Sequence, residues 1–368
     1  MAAIRELTGL GQAVWLDYIR RSFVVGGELR HWIDEGVRGV TANPTILEKA
    51  IDGSSDYDEQ LARLARAGKS PDEIYEAMVL EDIAGAADLF RPVYDREGDG
   101  FVSLEVAPGL AHDTEGTIAS ARHLFSALNR PNVFIKVPAT QEGFAAIERL
   151  IGEGVNVNVT LIFSLAQYEA SAQAYLAGLE KRLSDGKDIS RVASVASFFV
   201  SRVDTAADKA LEKAGNKELQ GTIAIANARI AYARFKEMFS GPRWEKLAAR
   251  GAKVPRPLWA SSGTKNPEYR DTLYVEELIG PDTVNTVPPA TLEAFLDHGR
   301  AAPTVEAGLD EARARIDSLA DLGISLDRMT EQLTVEGVDL FAKSFDTLMA
   351  SITEKSKRLR EPSQSPAS

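Results

Sequence analysis

Short apolar runs rich in β-branched residues alternate along the chain with longer segments whose apolar residues recur every three or four positions. The short runs are nearly continuously apolar, which is typical of strands buried on both faces of a parallel sheet. The longer segments have the spacing of amphipathic helices. We predict strands over residues 13–19, 39–43, 101–106, 132–139, 155–163, 192–200, 257–261 and 283–287. The clearest predicted helices cover residues 70–90, 113–129, 142–154, 164–183 and 222–239.

Eight strands with interleaved helices in about 300 residues predict an α/β fold, a closed (β/α)8 TIM barrel. An open, doubly wound sheet is the alternative, but it would normally carry a glycine-rich phosphate loop after its first strand. Residues 17–27, DYIRRSFVVGG, contain neither GxGxxG nor GxxxxGK[ST]. We therefore favour the barrel, as one catalytic domain over residues 1–304.

The C-terminal part of the chain has a different pattern. Residues 305–359 are strongly helical, with interruptions predicted at Gly323 and Gly337. We expect this extension to pack on the barrel, and its last helix is a candidate to cap the barrel mouth. Residues 360–368 are polar and contain two prolines, which predicts a disordered tail.

The charge balance limits the classes of partner. The 368 residues include 42 Lys and Arg against 54 Asp and Glu, a net charge of −12. An acidic chain is a poor binder of nucleic acid or of an anionic membrane, so we expect neither as a partner. No run of eighteen apolar residues and no basic-then-apolar N-terminal signal occurs, so we expect no membrane span and no signal peptide.

The absence of cysteine limits the chemistry. It excludes disulfides, thiolate metal sites and a cysteine nucleophile, and it fits a cytoplasmic location. The histidines are His31, His112, His123 and His298, and no HxH or HxxxH spacing occurs among them. This spacing argues against a histidine metal site, so we expect no metal.

The predicted strands end in polar residues. In a (β/α)8 barrel the active site lies at the carboxyl ends of the strands, so these ends are the place to look for chemistry. The residues found there are Asp17, Asn43, Glu105, Lys136, Asn158, Thr160, Ser197, Arg202, Ser261, Ser262, Lys265, Asn285 and Thr286. These polar residues would form a ring at the ends of otherwise apolar strands, and such a ring predicts a functional site.

Lys136 is the sharpest candidate, because it lies within the apolar run VFIKVPA. Burying an ammonium group costs several kcal/mol unless it is paired. Desolvation can lower the pKa of a lysine from about 10.4 toward about 7–8, which makes the amine nucleophilic at neutral pH. Such an amine can attack a ketone and form an iminium ion, an electron sink for carbon–carbon cleavage. The alternative is a purely structural ion pair with Glu105 or Asp17.

The two acids and two further cations complete this interpretation. Asp17 and Glu105 could supply a base for a substrate hydroxyl and a proton shuttle for dehydration, or they could simply hold Lys136. Arg202 and Lys265 are candidate phosphate ligands, the first as a bidentate fork and the second as a point charge. Lys265 follows small residues in SSGTK, which suits an oxyanion cradle, although a solvated loop lysine is the alternative.

Taken together, segments along most of the chain resemble the transaldolase family. They are WLDYI, GVTANPTI, VSLEVAP, NVFIKVPATQEG, GVNVNVTLIFS, ASFFVSRVD and LWASSGTKNPEY, in that order. Any one of them is a weak signal, whereas the ordered set is highly specific. The chain length and the LWASSGTKNP form resemble the extended transaldolases of some bacteria.

The resemblance implies roles for individual residues. Lys136 is the counterpart of the Schiff-base lysine and Asp17 of the proton-transfer aspartate, while Glu105 and Thr160 match the pair that holds a catalytic water. The implied substrate-binding residues are Asn43, Asn158, Ser197, Phe199, Arg202, Ser261 and Lys265. There are two departures from the family. Phe198 stands where a proline is common, and Lys265 stands near the place of a frequent arginine.

The resemblance also implies an activity. A transaldolase moves a dihydroxyacetone unit from sedoheptulose 7-phosphate or fructose 6-phosphate to an aldose phosphate, in the non-oxidative pentose phosphate pathway. This implies sugar phosphates as ligands and no cofactor. We expect a monomer or homodimer. Two rival functions stay open: a class I aldolase acting on a related sugar phosphate, and a non-catalytic barrel that only binds sugar phosphates.

Overall fold

The computed structural model describes residues 2–360, with a closed barrel of eight parallel strands at its centre. The strand order around the barrel follows the sequence, so β1 pairs with both β2 and β8. The strands are β1 (Gln12–Leu16), β2 (Gly39–Thr41), β3 (Phe101–Glu105), β4 (Val133–Pro138), β5 (Val157–Ile162), β6 (Ser194–Phe199), β7 (Arg256–Ala260) and β8 (Thr283–Val287). The predicted (β/α)8 barrel is confirmed, and each predicted strand is present with ends shifted by a few residues.

Helices surround the barrel and complete its C-terminal part. Those before the end of the barrel are α1 (Ala2–Gly9), α2 (Arg21–Val25), α3 (Glu28–Glu35), α4 (Pro44–Asp52), α5 (Asp58–Arg66), α6 (Pro71–Glu97), α7 (Thr114–Leu128), α8 (Gln141–Glu153), α9 (Leu165–Ser184), α10 (Ser201–Lys213), α11 (Ile223–Met238), α12 (Pro242–Ala248), α13 (Leu273–Glu276) and α14 (Pro289–His298). Two more helices follow, α15 (Leu309–Asp321) and α16 (Leu326–Arg360). Within residues 2–360, no helix combines the length and the apolar character needed to span a bilayer.

The helix predicted over residues 70–90 begins as expected but runs further. Ser70 caps α6 through a reciprocal pair of hydrogen bonds with Glu73, and a proline occupies the first turn. The helix then continues past Pro92 to Glu97. A proline inside a helix removes one backbone hydrogen bond. Here the buried residues Phe90 and Val93 on either side pack into the core, and this packing outweighs the local loss.

The amino-terminal half of the barrel interior is a packed aromatic core. The ring of Phe101 stacks on that of Phe134 with centroids 4.3 Å apart, and Trp15 lies 6.3 and 6.0 Å from these two rings. Gly39 on β2 makes room for them, because a Cβ there would lie 2.5 Å from the Trp15 ring. This layer fills the barrel interior at the amino-terminal side. The space for a ligand-binding site therefore lies at the carboxyl ends of the strands.

The long C-terminal helix packs across the barrel at the carboxyl ends of the strands. Gly323, with φ of +71°, separates α15 from α16, as predicted. The interruption predicted at Gly337 is wrong, because α16 runs unbroken through it for 35 residues. A Cβ at Gly337 would lie 2.9 Å from Cδ2 of Leu161, so glycine serves here to bring the helix close to β5. Contacts with α4, α5, α6 and α10 hold α16 in place.

Two expectations for the C-terminal part are not decided by the fold. The tail predicted over residues 360–368 lies outside the described residues, except for the backbone of Arg360 at the end of α16. The division of the chain into a domain over 1–304 and an extension over 305–359 stays a proposal.

Candidate active site

A cavity opens among the carboxyl ends of the strands. It is lined by Asp17, Thr41, Asn43, Lys136, Thr160, Ser197, Phe199, Arg202, Ala260, Ser261, Gly263, Lys265, Thr286, Pro288 and Phe341. The structure thus brings together the predicted site residues, except that Glu105 and Asn158 lie behind the cavity wall, each in direct contact with a lining residue. Five lining residues were not among the candidates named from the sequence: Thr41, Ala260, Gly263, Pro288 and Phe341. Thr286 was named as a strand-end residue, without a role.

Lys136 reaches the site from the interior of the barrel. It is on β4, two residues after Phe134, so both side chains point inward. Only 4 % of the residue is exposed. Its Nζ lies 3.2 Å from Oε2 of Glu105 and donates a hydrogen bond of 3.1 Å to the carbonyl oxygen of Ala42. The ion pair that sequence reasoning left open therefore exists, and it adjoins the cavity.

Asp17 follows β1 and belongs to a chain of hydroxyl groups. Thr41 donates a hydrogen bond of 2.7 Å to Oδ1 of Asp17, and its Oγ1 lies 2.6 Å from that of Thr286. Because Thr41 has a single hydroxyl proton, Thr286 must donate to Thr41. Burial raises the pKa of Asp17, and the positive charge of Lys136 opposes this shift. Thr41 ends β2 two residues before the predicted site residue Asn43, and this alternate spacing is the signal that could have revealed Thr41.

Glu105 ends β3 and is buried beside Lys136. Burial raises its pKa, the charge of Lys136 opposes the rise, and the charge of Asp17 adds to it. Apart from the ion pair, Oε2 of Glu105 has no hydrogen-bond partner among the described residues, and neither has Oγ1 of Thr160. Buried polar atoms normally have partners, so these two atoms can hold a small polar group.

Asn158 supports the cavity from behind. It is fully buried on β5, where its Nδ2 donates to Oγ of Ser103 at 3.1 Å. Ser197 on β6 donates to Oδ1 of Asn158 at 2.7 Å. Asn158 therefore fixes the orientation of Ser197, the residue of the pair that lines the cavity.

Arg202 is held in the site by aromatic rings. It lies in the first turn of α10 and is half-buried. Its Cζ is 5.3 Å from the ring centroid of Phe199 and 5.6 Å from that of Phe341. Burial lowers its pKa, against the charges of Asp17, Glu105 and Glu336. The departure at Phe198 does not disturb this arrangement, because Phe198 packs outside the barrel, edge-on to Trp259, and Phe199 still faces the cavity.

The loop after β7 supplies the remaining polar groups. Ser261 has φ of +56°, a left-handed conformation that is strained for a residue other than glycine, and its Oγ lies 2.9 Å from that of Ser201. Leu161 on β5 has φ of +58°, beside a register shift in the pairing with β6. Such strain concentrates at functional sites. The loop also brings Lys265 to the cavity and to a neighbouring surface cleft.

The charges of the site favour an anionic ligand. Lys136, Arg202 and Lys265 face Asp17 and Glu105, which leaves a positive excess in a chain whose net charge is −12. Such a local excess attracts anions to the site. In the part of the chain that the structure describes, no three His, Cys, Asp or Glu side chains are grouped in a way that could hold a metal ion.

Comparisons with known proteins give the family. The profile of the Transaldolase/Fructose-6-phosphate aldolase family matches residues 14–352. A transaldolase of Saccharopolyspora erythraea is 50% identical over 355 residues, covering 96% of this chain and 97% of the relative. One from Acidothermus cellulolyticus is 49% identical over 363 residues, covering 97% and 98%. Transaldolase 2 of Nostoc punctiforme is 45% identical over 371 residues, covering 96% and 97%. The resemblance seen in the sequence is confirmed: the chain belongs to the transaldolase/fructose-6-phosphate aldolase family of enzymes.

Proposed function

We propose that this chain is a transaldolase that moves a dihydroxyacetone unit from sedoheptulose 7-phosphate or fructose 6-phosphate to an aldose phosphate. The observation that carries the proposal is a buried lysine, Lys136, in contact with one buried acid and beside a second, at the mouth of a barrel that also presents two cations. The family and the names of the relatives support this activity. The cytoplasmic location and the monomer or homodimer expected from the sequence remain parts of the proposal.

The first step is the formation of a Schiff base. The amine of Lys136, having passed its proton to Glu105, attacks the keto carbon of the ketose phosphate and forms a carbinolamine. Glu105 returns the proton to the carbinolamine hydroxyl, which leaves as water, and the iminium remains on Nζ. The short distance from Glu105 to Nζ and its raised pKa suit this exchange. Oγ1 of Thr160 is free of protein partners among the described residues and can hold the water.

The second step breaks a carbon–carbon bond. Asp17 removes the proton of the C4 hydroxyl, the C3–C4 electron pair moves toward the iminium nitrogen, and an enamine of dihydroxyacetone remains on Lys136. The aldose phosphate leaves. The hydrogen bond from Thr41 fixes one oxygen of Asp17, and burial raises its pKa toward that of an effective base. A second aldose phosphate then reverses these steps, and hydrolysis of the new iminium releases the product.

The remaining residues hold the substrate. Arg202, Lys265 and Ser261 would bind the phosphate remote from the reacting carbons and so position them. Asn43 and Ser197 would contact donor hydroxyls. Oδ1 of Asn43 already accepts from the backbone N–H of Ile46 as the cap of α4, which leaves its NH₂ group for the sugar.

Trapping of the covalent intermediate tests the proposal. The protein is incubated with fructose 6-phosphate, reduced with borohydride, digested and analysed by mass spectrometry. We expect a dihydroxyacetone-derived adduct on Lys136, and none on a Lys136→Met variant treated in parallel. The proposal is wrong if the wild-type peptide that contains Lys136 is recovered unmodified.

An aldolase is the second candidate, because the family description names fructose-6-phosphate aldolase beside transaldolase. The two activities share the lysine chemistry and differ in the fate of the three-carbon unit. Free dihydroxyacetone that accumulates from fructose 6-phosphate without an acceptor aldose would favour the aldolase. Binding of fructose 6-phosphate without any trapped adduct would instead favour the non-catalytic barrel.

A further inference from the structure

The guanidinium of Arg202 is in an unusual environment for a half-buried charge. Among the described residues it makes neither a hydrogen bond nor an ion pair. Buried charged groups are normally paired, because an unpaired one pays the cost of desolvation without compensation. The Cζ of Arg202 lies instead over the rings of Phe199 and Phe341, 5.3 and 5.6 Å from their centroids. A cation over an aromatic face is attracted by the ring quadrupole, and this attraction needs no hydrogen-bond acceptor.

The second ring comes from outside the barrel. Phe199 is on β6, close to Arg202 in sequence, whereas Phe341 is on α16 and is 2 % exposed. Gly337, one turn earlier on α16, allows this approach. A Cβ at that position would lie 2.9 Å from Cδ2 of Leu161 and 3.5 Å from a terminal nitrogen of Arg202. A larger residue would therefore push the helix, and Phe341 with it, away from the mouth.

The acids around Arg202 leave its donors open. Asp17, Glu105 and Glu336 influence its charge from a distance, and none of them forms an ion pair with it. Asp17 is bonded to Thr41, and Glu105 lies against Lys136. The guanidinium therefore lies against aromatic rings that use none of its N–H donors, and these donors stay available for an anion in the cavity.

We propose that Phe341 is a positioning residue for the phosphate of the substrate, so that the C-terminal helix sets the preference of the enzyme for phosphorylated over unphosphorylated sugars. This inference rests on the proposed function. The physical reason is pre-organisation: an arginine already restrained by contacts with two rings loses less side-chain freedom when it binds a phosphate. Without the ring of Phe341, the side chain of Arg202 is less restrained before binding, so it loses more conformational freedom when it binds the phosphate.

The test is a set of substitutions on α16. Phe341→Leu keeps an apolar side chain but removes the ring, Phe341→Tyr keeps the ring, and Leu340→Ala changes an adjacent exposed residue as the matched control. We expect Phe341→Leu to raise KM for fructose 6-phosphate and erythrose 4-phosphate roughly three- to tenfold, with kcat nearly unchanged. Phe341→Tyr and Leu340→Ala should both keep the wild-type KM and kcat.

Two further measurements separate this inference from the proposed function. Calorimetric titration with inorganic phosphate should show a dissociation constant that rises by a similar factor in Phe341→Leu. Borohydride trapping with dihydroxyacetone, which carries no phosphate, should modify Lys136 equally in all variants. The inference fails if phosphate affinity is unchanged in Phe341→Leu, or if dihydroxyacetone trapping falls together with phosphate affinity, which would indicate a general structural role. Failure of trapping in wild type would overturn the proposed function instead, while the phosphate titration would still test whether Phe341 positions Arg202 for a phosphate.

Discussion

The two ends of the barrel interior are built by the same strands from opposite kinds of residue. At the amino ends, the inward side chains of β1, β3 and β4 are aromatic and stack on one another: Trp15, Phe101 and Phe134. Toward the carboxyl ends, the inward positions of the same strands are charged: Asp17, Glu105 and Lys136. Because alternate residues of a strand share a face, a shift of two or four positions moves from one environment to the other.

The difference separates stability from chemistry within one fold. The aromatic layer buries apolar surface, which is the main source of folding free energy. The charged layer places two carboxyl groups where burial raises their pKa and thus disfavours their ionised form. It also adjoins the strained residues Leu161 and Ser261. A barrel can carry these costs at its mouth because the opposite end is packed.

The largest effect is expected from Lys136→Met. Without the amine no Schiff base can form, so kcat should fall by at least about 10³-fold. Steady-state kinetics with fructose 6-phosphate and erythrose 4-phosphate measure this. Thermal unfolding followed by circular dichroism should show a folded variant that is less stable than wild type at neutral pH, because Glu105 loses the partner of its buried ion pair. A variant that keeps more than a tenth of the activity would contradict the assignment of Lys136.

Substitution of the two acids should impair different steps of the reaction. We expect Asp17→Asn and Glu105→Gln each to lower kcat by about 10²- to 10⁴-fold. Asp17→Asn should still form the Schiff base, because its defect is in carbon–carbon cleavage, so borohydride should still trap an adduct with dihydroxyacetone. Glu105→Gln should form that adduct slowly. Equal trapping rates in the two variants would show that the acids do not divide the work in this way.

At the opposite end of the barrel the pattern should reverse. Phe134→Ala should lower the free energy of unfolding by about 3–5 kcal/mol, because it leaves a cavity in the aromatic layer. Urea unfolding measures this, with Phe134→Leu as a milder control. Activity per folded molecule should remain close to wild type at a temperature where the variant is folded. A loss of kcat comparable to that of Asp17→Asn would mean that the two layers are not separable.

The smallest effect concerns pH. Burial raises the folded-state pKa of Asp17 and Glu105 above the unfolded values of about 4. Below the unfolded pKa both states are protonated and the full contribution to stability is present. As pH rises through the raised pKa, the folded protein must ionise buried carboxyl groups, and that contribution is lost.

This gives a measurable slope. Between pH 4 and pH 8, the unfolding free energy of the wild type should fall more with rising pH than that of Asp17→Asn or Glu105→Gln. Parallel curves from urea titrations across this range would argue that the carboxyl groups are less perturbed than their burial implies.

The strands and most of the site could be predicted because their signals are local. A strand buried on both faces must be apolar throughout, so a polar residue such as Lys136 at its end stands out against its neighbours. The helix that runs through Pro92 could not be predicted, because its stability depends on packing of Phe90 and Val93 against the barrel. The role of Gly337 was missed for the same reason. A glycine that ends a helix and one that allows a side chain from another element to pack closely cannot be told apart in the sequence.

Thr41 and Phe341 were missed for two different reasons. Thr41 is an ordinary residue for a strand, and its importance comes from a hydrogen bond to Asp17, which follows the neighbouring strand β1. Phe341 is one of many apolar residues on a long helix, and nothing local distinguishes it from those that only pack. Its position over Arg202 depends on the angle at which α16 crosses the barrel.

The sequence by itself determined the barrel and the charged groups at the ends of its strands, because alternation and apolar runs are properties of neighbouring residues. Only the tertiary structure decided which acid pairs with Lys136, which hydroxyl groups orient Asp17 and which ring from the C-terminal helix lies against Arg202. The physical reason is that these interactions join residues far apart in the chain, and their energies depend on distances that only packing sets.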